Sequence, residues 1–126
     1  MTSEQAEKFK KIWQKISSAR NVLLVSHLNP DIDAIASLGA MIEIVKREGK
    51  NYLAFAKGKR QDNYFLPNEE EIISDTNQLF EKASELFNNG EELKENFLSV
   101  FDLIIVLDCG SLDRTTLADY VGNIKY

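Results

Sequence analysis

The sequence lacks most of the features that define several large classes of proteins. Its 126 residues include one cysteine, one histidine and two prolines. A single cysteine excludes an intramolecular disulfide and a CxxC zinc site. No apolar run approaches the ~20 residues of a membrane-spanning helix. The net charge of −5 argues against binding to long duplex nucleic acid or to an anionic membrane. The first residues, MTSEQAEKFKKIW, lack the apolar centre of a signal peptide, so a cytoplasmic protein is expected.

The remaining pattern predicts one α/β domain over residues 1–126. Apolar periodicity predicts helices at residues 5–19, from 31 or 33 to 48, and through most of 69–96, with an interruption at 88–90. Short apolar runs predict strands at 21–26, 51–56 and 102–108. A loop is expected at 57–68 and a further helix start near 111–120. Strands that alternate with helices predict a mostly parallel sheet flanked by helices.

The first predicted helix has an apolar stripe with lysines opposite. The stripe follows the i, i+3, i+4, i+7 pattern and consists of Phe9, Ile12, Trp13 and Ile16. Trp13 is therefore predicted to be a core residue or a docking anchor.

The segment SHLNPDIDAIAS, residues 26–37, contains the histidine. His27, Asp31 and Asp33 follow the first predicted strand, and Asp108 ends the last one. Ligands of parallel sheets bind beyond the carboxyl ends of strands, so these side chains are expected at one edge. Several carboxylates with one imidazole suit Mn²⁺ or Mg²⁺. Two such ions ~3.5–4 Å apart activate water and stabilise the oxygens of a phosphoester.

A structural role explains each of these residues separately. Asp31 or Asp33 is a suitable N-cap for the following helix, and Asp108 suits the next one. His27 is equally suited to a hydrogen-bonded loop position. Their joint placement at one sheet edge favours the metal site.

Three segments resemble the DHH phosphoesterase superfamily, particularly its nano-RNase and phosphoadenosine-phosphate phosphatase branch. SHLNPDIDAIAS is similar to the first family motif, S-H-x-N-P-D-G-D-A-I-G-S. NYFLPNEEEI (63–72) is similar to the F-L-P segment, and FDLIIVLDCGSLDRT (101–115) to the second motif. Ile32 and Ala36 depart from the pattern, which has glycines at these positions.

The resemblance implies a phosphoesterase with two Mn²⁺ ions, or Mg²⁺ in their place. It implies that His27 and Asp31 bind one ion, that Asp33 binds the second, and that Asp108 bridges or approaches both. Asp31, Asp33 and Asp108 are thus the expected catalytic residues. The implied substrates are short oligonucleotides, linear dinucleotides and 3′-phosphoadenosine 5′-phosphate.

The Asp-His-His segment and the C-terminal DHHA1-type domain of the family have no counterpart in the 126 residues. We therefore expect a truncated catalytic domain that is inactive alone, binds Mn²⁺ weakly, and forms a homodimer that covers an unpaired sheet edge. A non-catalytic module that binds a nucleotide or metal is the alternative function.

Other features allow weaker predictions. Lys59, Arg60 and Arg114 are candidate contacts for substrate phosphates, although KGKR (57–60) also suits a solvated loop and Arg114 also suits an ion pair on a helix. A Cys109–His27 hydrolase conflicts with the use of the imidazole as a metal ligand. A haloacid-dehalogenase-like D-x-D site is disfavoured because four residues separate the strand from Asp31.

Overall fold

The apolar run after residue 20 becomes an inner strand of a four-stranded sheet. The computed structural model describes residues 2–60 and 65–121. Its helices are α1 (Ser3–Ser18), α2 (Ile32–Arg47), α3 (Thr76–Phe87) and α4 (Ala118–Val121), and its strands are β1 (Asn21–Val25), β2 (Asn51–Phe55), β3 (Ile72–Ile73) and β4 (Leu103–Val106). Short 3-10 helices lie at Glu69–Glu71, Phe97–Val100 and Leu112–Thr115.

All strand pairs are parallel, in the order β3-β2-β1-β4. The predicted α/β architecture with a parallel sheet is confirmed. In register, Val25 pairs with Phe55 of β2 and with Val106 of β4. The strands therefore end together, and the residues that follow them share one edge of the sheet.

Strand β1 is buried on both faces because its successive side chains alternate between two cores. Leu23 and Val25 pack in the first core, which includes residues of α3. Val22 and Leu24 pack in the second core, against α2. The sheet is thus a middle layer between helices, as its continuous apolar sequence predicts.

Helix α2 begins and ends at the residues that the sequence indicates. Asp31 is its N-cap and accepts a hydrogen bond from the Ala34 N–H at 2.9 Å. Lys46 and Arg47 lie in its last turn. Gly49 follows with a φ of 70°, a conformation that glycine adopts without strain.

The apolar stripe of α1 is largely exposed, so the core interpretation of Trp13 is wrong. Ile16 is the only buried residue of this helix. Phe9 is 59%, Ile12 55% and Trp13 48% exposed. The periodicity correctly predicts the helix and its apolar face, but it does not show whether that face has a partner within the chain.

The segment 69–96 contains less helix than predicted. It starts with a 3-10 turn and strand β3, and α3 ends at Phe87, directly before the predicted interruption. Leu86 is 59% exposed and lies off the buried face of α3. Among the described residues, no helix has the length and apolar character needed to cross a bilayer.

Candidate metal centre

Backbone and side-chain hydrogen bonds join the ends of β1, β2 and β4. The Ser26 N–H donates to the Phe55 carbonyl at 3.1 Å, and its hydroxyl donates to the Leu107 carbonyl at 2.8 Å. The Leu107 N–H in turn donates to the Val25 carbonyl at 2.8 Å. These bonds hold the segment after β1 beside the segment after β4.

The imidazole of His27 lies in this junction and is only 5% exposed. Its Nδ1 is 2.9 Å from the Leu28 carbonyl oxygen. A carbonyl only accepts, so Nδ1 carries the proton in this hydrogen bond. In the neutral ring, Nε2 then presents its lone pair, which is the arrangement found in metal-binding histidines.

Two carboxylates approach that nitrogen from different parts of the chain. The Asp31 Oδ1 lies 3.6 Å from Nε2, and the Asp108 Oδ2 lies 4.0 Å from it. One ligand atom from each of the three residues can be chosen so that all lie within 4.8 Å of one another. Donors around one ion at about 2.1 Å are separated by roughly 3–4 Å, so these three are close enough to be candidate ligands of a single Mg²⁺ or Mn²⁺.

Asp31 is both a helix cap and a member of this cluster. Its carboxylate accepts from the Ala34 N–H, and its side chain remains 43% exposed. The Ala34 hydrogen bond and the neighbouring His27 ring lower the pKa of Asp31, outweighing the opposite effect of burial. The carboxylate form that a metal requires is thereby favoured.

Asp108 reaches the cluster through an unusual backbone conformation. Its φ is 49°, in the left-handed region, where aspartate is more frequent than most residues. Its side chain is 42% exposed. The chain thus turns sharply after β4 and directs one carboxylate toward the buried imidazole.

The structure places the other predicted metal ligand outside this group. Asp33 is exposed in the first turn of α2. Among the residues that the structure describes, the cluster consists of His27, Asp31 and Asp108 and does not include Asp33. Its prediction as a ligand of a second ion remains a prediction.

The predicted phosphate contacts occupy different environments. The Lys59 N–H donates to the Asn29 side-chain oxygen at 3.0 Å, which holds the backbone of the 57–60 loop against the turn after β1. Arg60 forms an ion pair with Glu69, and its role as a phosphate contact remains a prediction. Arg114 is exposed, and its carbonyl accepts from the Leu28 N–H at 2.8 Å. Lys59 and Arg114 are thus joined by their backbones to the turn that carries the candidate ligands.

Sequence patterns did not identify Ser26 or Asn29 as organisers of the site. The Asn29 N–H donates to the Lys57 carbonyl at 2.8 Å, and its φ is 51°. A Cβ on Gly58 would collide with the Asn29 side chain, so this position requires glycine. An asparagine before proline, followed later by a loop glycine, was the available signal.

The NYF part of the predicted F-L-P segment includes residues 63 and 64, which lie outside the described residues.

Cys109 does not form the alternative nucleophilic pair in this structure. Its Sγ donates to the Ser111 carbonyl at 3.0 Å, and the Nδ1 of His27 bonds to Leu28. The imidazole is oriented instead toward two carboxylates.

The imidazole and two carboxylates thus lie at the carboxyl edge of a parallel α/β sheet, which is where such sheets bind their ligands. Residues 21–125 match the model of the DHH family, N-terminal domain, and the chain belongs to that family. The fold resembles the crystal structure of an exopolyphosphatase-related protein from Bacteroides fragilis, with a TM-score of 0.67 and 21% sequence identity. The match covers 96% of this chain and 33% of that chain. A comparison with curated proteins gives no match.

Proposed function

We propose that this chain is the metal-binding part of a phosphoesterase for small nucleotides, in the nano-RNase and phosphoadenosine-phosphate phosphatase branch of its family. The cluster of His27, Asp31 and Asp108 carries the proposal, since it combines a buried imidazole with two partly exposed carboxylates. Such ligands suit Mn²⁺ or Mg²⁺.

We assign a separate role to each of the candidate metal ligands and phosphate contacts. His27, Asp31 and Asp108 hold the first ion, which supplies Lewis-acid stabilisation of a phosphoryl oxygen when bound. Asp33 serves a second ion from the exposed first turn of α2. Lys59 and Arg114 bring positive charge to the rim, where it complements the phosphate of a nucleotide.

The proposed substrates are short oligonucleotides, linear dinucleotides and 3′-phosphoadenosine 5′-phosphate, in the cytoplasm. We also propose that an Asp-His-His segment and a substrate-binding domain beyond these 126 residues complete the enzyme. The candidate cluster contains one imidazole, and the chain spans a third of the length of the exopolyphosphatase-related structure that it resembles.

Titration calorimetry with Mn²⁺ tests the metal site directly on this chain. We expect one site for the wild type and loss of binding in His27→Gln and Asp108→Asn. Asp113→Asn is the matched control, because Asp113 is an exposed aspartate of the same loop region outside the cluster. Equal isotherms for the wild type and both cluster variants would contradict the proposal.

Hydrolysis tests the substrate class separately. The complete protein is expected to release nucleotide or phosphate from 5′-pApA or 3′-phosphoadenosine 5′-phosphate with Mn²⁺, whereas the 126-residue chain shows little turnover. Inorganic polyphosphate is the comparison substrate. Preferential cleavage of polyphosphate would contradict the nucleotide assignment without affecting the metal site, and binding of Mn²⁺ with no turnover of any substrate would favour the non-catalytic module.

A further inference from the structure

Helix α1 presents an apolar stripe that lacks a partner within the described part of the chain. Phe9, Ile12 and Trp13 are each between 48% and 59% exposed. Adjacent residues of a helix project about 100° apart, so Lys8 and Lys10 flank the stripe on its two sides. The helix carries four lysines and two glutamates, although acidic residues outnumber basic ones in the chain as a whole. Its exposed face is therefore apolar in the middle and has an excess of lysines at the margins, where Lys8 also pairs with Glu4 at 3.8 Å.

A groove of about 540 Å³ beside helix α3, called the α3 groove below, has the complementary character. Phe80, Leu93 and Tyr120 line it, and the ring of Phe80 packs against those of Phe97 and Tyr120 at centroid distances of 4.8 and 5.6 Å. Four exposed glutamates surround this apolar floor, with one lysine among them: Glu81, Glu85, Glu92, Glu95 and Lys94. The floor is preformed by packed aromatic rings, and the rim is acidic.

The helix cannot reach the groove of its own copy. Its end is fixed by a hydrogen bond from the Lys50 Nζ to the Ser17 carbonyl at 2.6 Å and by the Arg20 N–H, which donates to Asp102 at 2.9 Å. Ala19 packs in the core beside α2, whereas Phe80 packs against the core on the other face of the sheet. The two residues between α1 and β1 span at most about 7 Å. Helix α1 of the same copy is therefore not the partner of this groove, and a second copy can supply one.

We propose that α1 of one copy binds in the α3 groove of a second copy of this chain. Trp13, Phe9 and Ile12 would cover the aromatic floor, and the flanking lysines would meet the glutamate rim. A symmetric contact between two α1 helices would instead bring their lysine margins together, where like charges repel. The acidic chain also disfavours an anionic lipid surface.

This contact joins two different surfaces and is therefore heterologous. After one contact, the copy that supplied the helix keeps a free groove and the other copy keeps a free helix, so further copies can add until a ring closes or an open chain forms. The proposed interface is distinct from the sheet edge at β4, which is the other candidate surface for self-association.

Complementary variants of the full chain test the proposal. The groove variant carries Glu81→Lys and Glu85→Lys and keeps α1. The helix variant carries Phe9→Ser and Trp13→Ser and keeps the groove. All four positions are exposed, so the fold should tolerate them, and circular dichroism checks this.

We expect the wild type to grow beyond a dimer with increasing concentration in analytical ultracentrifugation. Each variant alone should associate at least about tenfold more weakly, because its contact is lost or its charges repel. An equimolar mixture should form a 1:1 complex that cannot grow further. In that mixture Trp13 of the groove variant is the only tryptophan, so its fluorescence should shift to shorter wavelength on binding.

A control variant carrying Glu48→Lys and Glu70→Lys makes the same change of net charge at exposed positions outside the groove. It should assemble like the wild type. A wild type that stays monomeric, or a groove variant that assembles normally, would overturn the proposal. The proposal would also be overturned if phosphatidylserine vesicles shift the fluorescence of Trp13 and the helix variant does not.

Discussion

Replacing Asp31 by asparagine separates the two roles that this carboxylate has in the structure. Asparagine is as good an N-cap as aspartate, because its side-chain oxygen accepts the same hydrogen bond from the Ala34 N–H. It lacks the negative charge that a divalent cation requires. Alanine at the same position removes both functions.

The magnitudes differ enough to be distinguished. Asp31→Ala should lower the free energy of unfolding by about 1 kcal/mol through loss of the cap. Asp31→Asn keeps the cap and loses the interactions of the charge with the helix dipole and with His27, which are about 0.3 kcal/mol each for a side chain that is 43% exposed. For a chain of this size, 1 kcal/mol corresponds to a change in Tm of roughly 3–6 °C. Both variants should bind Mn²⁺ more than about 100-fold more weakly, since loss of a direct ligand exceeds the effect of disturbing its hydrogen bonds.

Asp75 provides the matched control. It caps α3 in the same way, accepting from the Gln78 N–H at 3.2 Å, but it is not part of the metal cluster. Asp75→Ala should cost a similar free energy of unfolding, measured by urea denaturation, and leave Mn²⁺ calorimetry unchanged. If Asp31→Asn binds Mn²⁺ as the wild type does, Asp31 is only a cap and the reasoning about the site is refuted.

Two further predictions concern the helix α2 and the loop before β3. Gly39→Ala should lower the free energy of unfolding by about 1–2 kcal/mol despite the better helix propensity of alanine, because the new Cβ would collide with the Pro67 carbonyl. Gly110→Ala is the control: no atom lies near its Cβ, so the free energy of unfolding in urea should not change. Burial alone would raise the pKa of Glu71, but hydrogen bonds from Tyr52 and Lys46 lower this pKa below its ordinary value of 4.5. The stabilisation that these hydrogen bonds give the folded state is therefore present above pH 4.5 and is lost as the pH falls through the lower folded-state pKa. Tyr52→Phe removes the 2.6 Å hydrogen bond and should cost about 1 kcal/mol at pH 7. The difference from the wild type should shrink as the pH falls through the folded-state pKa of Glu71. A difference that does not change with acidification would contradict this account.

The main elements of the fold are predictable because their signals are local. The apolar runs of β1, β2 and β4 and the cap and glycine of α2 each carry the information within a few residues. Strand β3 has only two residues, Ile72 and Ile73, and its register depends on pairing with Ala54 and Phe55. A strand this short has no measurable periodicity, so the sequence alone indicates helix there.

The candidate site was predictable in its residues more than in its geometry. The alternation of strands and helices correctly predicts that His27 and Asp108 lie at the same edge of the sheet. It does not show that Asp31 can cap a helix and join the cluster at once, because the sequence presents these roles as alternatives. Arg60 illustrates the same limit: its pairing with Glu69 depends on the path of a loop, which no local pattern fixes.

The position of Asp108 also links metal binding to the stability of the sheet. Its carboxylate reaches His27 only while β4 pairs with β1, whereas Asp31 is positioned by the turn that precedes α2. A bound ion would therefore connect β4 to the β1–α2 turn and favour the state in which both are folded. At an Mn²⁺ concentration 100 times the Kd, this linkage should stabilise the chain by about 2.7 kcal/mol. Thermal unfolding should shift upward with Mn²⁺ in the wild type and not in Asp108→Asn, and a shift that survives this substitution would place the ion elsewhere.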